Sequence, residues 1–142
     1  MRLALVLGMI GLGSLLGVTR AALLPSHCSS VKPLAGSVSV AEAHSALMDG
    51  GVTFLDARAQ TYYRQGHIPG ALGVPYAMRE PRSGYLAEAI PRERHIIVYC
   101  YDSRCGIAGL FANWLRRKGW SEVAVLEGGM EAWKRAELPV RQ

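Results

Sequence analysis

Two cysteines, Cys100 and Cys105, stand where a short apolar run gives way to a polar turn, in the segment His95-Ile96-Ile97-Val98-Tyr99-Cys100-Tyr101-Asp102-Ser103-Arg104-Cys105-Gly106. A thiolate is a nucleophile, and a helix N-terminus or a neighbouring cation favours its formation. The run is β-branched and nearly uninterrupted, as in a strand buried on both faces of a parallel sheet. Such sheets bind ligands beyond the carboxyl ends of their strands. Gly106 then opens a helical pattern, so Cys100 is a candidate nucleophile. The alternative is a small buried hydrophobe, because free cysteine is among the most buried residue types. Cys105 lies close enough in sequence for its sulfur to reach Cys100 across a tight loop, which adds thiol–disulfide chemistry.

An anionic substrate at such a thiol needs donors. Arg104 is the anion contact within the loop, and Arg58 is a second, delivered with Asp56 and Ala57 to the carboxyl end of the run Val52-Thr53-Phe54-Leu55. Asp56 is placed to orient that end or to pair with Arg58. Tyr101, Asp102, Ser103 and Gly106 are expected around the mouth. The other histidines, His27, His44 and His95, show no metal-ligand spacing, and two loop cysteines fall short of the four ligands of a closed zinc site. No metal or cofactor is expected. Trp114, Trp120 and Trp133 lie at helical or strand-end positions and read as core.

The elements that must position these residues alternate in type. Ser39 and Glu42 form a capping box ahead of a short helix that Gly50-Gly51 ends. Val52-Thr53-Phe54-Leu55 reads as a buried strand. Tyr62 and Tyr63 lie in a brief helix stopped by Gly66, and Leu72-Gly73-Val74-Pro75 is extended. Residues 79–84 form a polar loop, and 85–90 hold one or two helical turns. A strand over 95–99, a helix over about 106–118, a strand over 122–126 and a last amphipathic helix after Gly128-Gly129 complete the chain. The expectation is an α/β domain of three layers, a mostly parallel sheet flanked by helices.

The 142 residues, 50% of them hydrophobic, suit one domain plus a leader. Residues 3–19 carry no charge and lie between Arg2 and Arg20, a run at the lower limit of a membrane span. Residues 1–24 therefore read as a signal peptide or a membrane anchor, 25–37 as a Pro/Ser-rich linker, and 38–142 as the domain. The protein is expected to be exported, either periplasmic or anchored facing the periplasm if bacterial. Setting Arg2 and Arg20 aside leaves 14 basic against 11 acidic residues, an excess that favours a small anionic substrate without suggesting nucleic acid. With three cysteines, pairing Cys100 with Cys105 leaves Cys28 odd, and no role is assigned to it.

Five elements in order carry a resemblance: Leu55-Asp56-Ala57-Arg58, Gly66-His67-Ile68-Pro69-Gly70-Ala71, Ile97-Val98-Tyr99-Cys100, Leu115 with Gly119-Trp120, and Leu126-Glu127-Gly128-Gly129 with Trp133. Over residues 38–140 the chain resembles the rhodanese superfamily. The resemblance implies a small α/β domain whose active-site loop begins at Cys100, with sulfur held there as a persulfide and passed from a sulfane donor such as thiosulfate to a thiol or cyanide-like acceptor. It strengthens the site role of Arg58 and makes His67 a structural support rather than a base. The loop departs from the family's commonest pattern, which has Gly at the third position after the cysteine and Arg at the fifth; here these are Ser103 and Cys105. Leu115 and Gly119 also fall two residues further on than usual, so the loop is enlarged and resembles a branch with two loop cysteines.

Backbone N–H groups of the loop and the following helix start are expected to surround the Cys100 sulfur. Cys105 attacking a Cys100 persulfide would form a disulfide and release sulfide, or the oxidised pair would exchange with a partner protein's thiol. Besides sulfur transfer, the residues leave open a thiol–disulfide redox protein, a non-catalytic interaction module of this fold, and a phosphatase. The last is weakest, because Gly106 occupies the position of the phosphatase loop's arginine.

Overall fold

Along the central strand, residues with even and odd numbers face different layers. Ile96, Val98 and Cys100 join one hydrophobic cluster while Ile97 and Tyr99 join another, all of them buried. This is the pattern of a strand covered on both sides. In the computed structural model, which describes residues 36–142, five strands form one sheet with every neighbouring pair parallel. They are β1 (Gly36–Val38), β2 (Val52–Asp56), β3 (Leu72–Gly73), β4 (His95–Tyr99) and β5 (Val123–Leu126), in the order β1-β5-β4-β2-β3. The strand that delivers Cys100 is thus the middle one.

Helices α1 (Val40–Met48) and α5 (Gly129–Arg135) send Ala43, Met130 and Trp133 to one face of the sheet, against Phe54, Ile97 and Tyr99. Helices α3 (Ser83–Ala89) and α4 (Ile107–Arg117) cover the other with Leu86, Phe111 and Leu115. The short α2 (Gln60–Gln65) buries no side chain. The expected capping box is present: the Glu42 amide donates to Ser39 Oγ at 3.3 Å, and Glu42 Oε2 accepts from the Ser39 amide at 2.9 Å. All three tryptophans are buried as expected. Each indole N–H finds an acceptor: Glu80 Oε1 for Trp114, the Ile90 carbonyl for Trp120 and the Pro139 carbonyl for Trp133.

Two expectations are corrected. Gly36 and Ser37, read as the end of a linker over 25–37, pair with Ala124 and Val125 of β5 and so belong to the domain. An edge strand of three residues is held by its partner's ladder and leaves no apolar run in the sequence. The polar loop over 79–84 is shorter than expected. A 3-10 turn at Tyr76–Met78 precedes it and α3 begins within it at Ser83, because Leu86 and Ile90 anchor that segment in the core. The leader and Cys28 lie outside the described residues. Among the described residues no helix is long and apolar enough to cross a membrane.

Beyond α5 the chain returns to the sheet end of α2. The His67 amide donates to the Arg141 carbonyl at 2.8 Å and the Arg141 amide to the His67 carbonyl at 2.9 Å, an isolated antiparallel bridge.

Candidate active site

β4 stops at Tyr99 because the carbonyls that follow are claimed from elsewhere. The Met130 amide donates to the Cys100 carbonyl and the Glu131 amide to the Tyr101 carbonyl, both at 2.9 Å. This clamp requires a close approach. Gly128 and Gly129 have φ of 70° and 56°, and a Cβ on Gly129 would stand 2.6 Å from the Cys100 carbonyl oxygen. The paired glycines that read as a strand breaker in the sequence therefore seat the active loop on the start of α5.

Asp102 organises the loop itself. Its Oδ1 accepts from the Arg104 amide at 2.8 Å, its Oδ2 from Arg104 Nη2 at 2.9 Å, and its carbonyl from the Cys105 amide at 3.2 Å. The Arg104 contacts hold the Asp102 carboxyl below the usual carboxylate range, and Asp102 in turn raises Arg104. The turn brings the Cα atoms of residues 100 and 105 to 6.1 Å, and the two sulfurs are joined as a disulfide. Cys100 is 1% exposed, whereas Cys105 is half-buried on a loop whose Ser103, Arg104 and Gly106 are exposed.

A cavity of about 260 Å³ lies against this disulfide. Cys100, Asp102, Ser103 and Cys105 form one wall, Ala108 of α4 lies beneath, and Leu126, Glu127 and Gly128 close the far side. The sequence reading did not anticipate Glu127 or Gly128 at the site; the signal for them is the Glu-Gly-Gly that follows a buried strand. The lining carries two carboxylates, Asp102 and Glu127, and no lysine or arginine. The chain's overall positive charge does not extend into the cavity. Arg104, next to the lining residues Ser103 and Cys105, is 89% exposed and turned onto Asp102.

Several expected site residues take other positions. Arg58 does not reach the cavity. It is 5% exposed, its Nε and Nη2 grip the Asp56 carboxylate at 2.9 and 2.6 Å, and Nη2 also donates to the Gly66 carbonyl at 2.7 Å. Burial pulls its pKa down, but the hydrogen bonds to Asp56, the Asp56 charge and Tyr99 together outweigh that and leave it raised. Asp56 also accepts from the Arg58 amide at 3.0 Å. Burial first, then the Asp56 charge, pushes the Tyr99 phenol up, and its oxygen accepts from the Ile68 amide. His67 stacks on Tyr63 with ring centres 3.9 Å apart, and its Nδ1 lies 3.0 Å from the Tyr63 carbonyl. Tyr101 leans edge-on against Tyr62 and does not line the cavity, and Gly106 caps α4 outside it. The expected ring of amides around sulfur is incomplete, because the Arg104 and Cys105 amides serve Asp102.

Comparison with known proteins places these features in a family. Residues 39–136 match the model of the rhodanese-like domain. The chain is 40% identical over 91 residues to the HTH-type transcriptional regulator Rv0324 of Mycobacterium tuberculosis, covering 64% of this chain but only 38% of that protein. It is 33% identical over 98 residues to the thiosulfate sulfurtransferase GlpE of Coxiella burnetii, covering 68% of this chain and 85% of that one. The crystal structure of the Alr3790 protein from Anabaena sp. superposes with a TM-score of 0.64 at 29% identity, over 73% of this chain and 90% of that chain. The all-parallel five-stranded sheet, the cysteine after its middle strand and the family match over most of the described chain agree: this protein belongs to the rhodanese-like domain family.

Proposed function

We propose that the domain is a sulfurtransferase in which Cys100 carries sulfane sulfur from a thiosulfate-like donor to a thiophilic acceptor. One observation carries the reading: a cysteine at the carboxyl end of the middle strand lines a cavity of about 260 Å³, big enough for a small anion. Relatives named as sulfurtransferases support it. In the reduced loop the Cys100 thiolate attacks the outer sulfur of thiosulfate, the sulfur–sulfur bond of the donor breaks, and sulfite leaves. The persulfide then gives its outer sulfur to an acceptor nucleophile and Cys100 returns as thiolate. Arg104, free to turn from Asp102 through solvent, meets the donor's charge at the mouth.

The test is to incubate the reduced, desalted protein with thiosulfate, map adducts by mass spectrometry and assay thiosulfate-to-cyanide transfer. A sulfur adduct on Cys100 and turnover that Cys100→Ser abolishes are expected. Turnover undiminished in Cys100→Ser would sink the proposal. The Cys100–Cys105 bond favours a second reading, dithiol exchange with a partner protein. The uncharged run over residues 3–19 supports export or anchoring of the chain, to be checked by fractionating cells that express it in full.

A further inference from the structure

Two sulfurs that can bond directly have unequal surroundings here, and the inequality bears on how the sulfur leaves. We propose that Cys105 discharges the Cys100 persulfide as sulfide, closing the loop disulfide, and that a dithiol protein reopens this bond by attacking Cys105 rather than Cys100. The proposal rests on the reading of Cys100 as the sulfur carrier.

Reach is given by the bond between the two side chains and by the 6.1 Å between their Cα atoms, within the ordinary span of a disulfide. In the discharge step the Cys105 thiolate attacks Cys100 Sγ. The Sγ–Sγ bond forms, the bond to the outer sulfur breaks, and that sulfur leaves with the electron pair and takes up a proton as hydrosulfide. The sulfane sulfur is reduced by two electrons and the cysteine pair is oxidised by two. A dithiol must restore them: its first thiolate attacks Cys105 Sγ, Cys100 leaves as thiolate, and its second thiol frees Cys105 by taking the mixed disulfide for itself.

Direction follows from burial. Thiol–disulfide exchange needs access to the sulfur under attack. Cys100 is 1% exposed, and the Met130 amide fixes its carbonyl so that it cannot swing out. Cys105 is half-buried, flanked by exposed Arg104 and Gly106. Leu110, one turn beyond Gly106 and 54% exposed, is an apolar side chain open to a protein partner on the helix that follows Cys105.

Trypsin separates the two cysteines after Arg104, so each can be read on its own peptide. The full chain carrying Cys28→Ser, reduced and desalted, is loaded with inorganic polysulfide, which needs no donor site. Loading expels a shorter polysulfide or sulfide from the reagent; the expected result is about one further sulfide per chain and linkage of peptide 95–104 to peptide 105–116. With Cys105→Ser added, the adduct should stay on Cys100 and no sulfide should appear beyond that expelled from the reagent on loading. A persulfide that persists on Cys100 beside a free Cys105 would overturn the discharge step. For the second step the oxidised chain is mixed with a thioredoxin whose resolving cysteine is replaced by serine. Capture through the peptide that begins at Cys105 is expected; capture through Cys100, or none, overturns it. Should thiosulfate fail to load Cys100 while polysulfide succeeds, the donor assigned under Proposed function falls and the discharge step is still decided.

Discussion

The two arginines once paired as anion contacts have opposite surroundings, and substitution should separate them. Arg58 fills a buried fork with Asp56, and removing one partner of such a pair leaves an uncompensated buried charge. Arg58→Ala should cost about 3 kcal/mol of stability by chemical denaturation. Arg58→Lys should recover only part of this, because an ammonium cannot span both carboxylate oxygens and the Gly66 carbonyl. Neither change should alter the KM for thiosulfate in protein that is still folded; a raised KM at unchanged stability would return Arg58 to the site. Arg104 is exposed, so Arg104→Ala should leave the melting temperature within a degree or two and raise KM about fivefold, the modest effect of a solvent-screened contact. The Asp-x-Arg spacing revealed that these two residues belong together. It did not reveal which way the guanidinium faces, because that depends on the Gly66 carbonyl brought in by a separate turn.

Among the elements, α5 governs the loop although it contributes no side chain to the cavity wall. Two of its amides take the carbonyls of Cys100 and Tyr101, and only glycine at position 129 lets the backbones meet. Gly129→Ala combines a forbidden approach with a left-handed backbone angle, so a loss of about 2 kcal/mol is expected in thermal or denaturant unfolding. Sulfur loading of Cys100 should slow with it, as measured by quenched mass spectrometry; a fully stable Gly129→Ala chain would refute the clamp. β2, β4, β5 and the flanking helices were legible because continuous apolar runs and helical spacing are local properties. β1 was not, since Gly36-Ser37-Val38 acquires strand geometry only from β5. Glu127 was missed for a related reason: its place beside Cys100 depends on β4 and β5 being neighbours, which the order of the chain does not state.

At the scale of the whole molecule, net charge proved a poor guide to the site. A formal +5 coexists with a cavity whose charged lining is Asp102 and Glu127. Neutral thiols and protein partners meet no penalty there, whereas a doubly charged donor depends on Arg104. The tail makes a connection of another kind. Removing residues 139–142 would delete the acceptor of the Trp133 indole and both backbone links to His67. The truncated chain should melt several degrees lower by circular dichroism; an unchanged melt would show the bridge to be idle.

The junction of the tail with Gly66 also lies next to the carbonyl that steadies the Arg58 fork, since a Cβ on Gly66 would stand 2.8 Å from the Val140 side chain. Epitope tags, fusions or proteolytic trimming at the carboxyl terminus are thus not innocent manipulations of this protein. A clip far along the chain from the reactive sulfur would be felt at the footing of the strand beside it.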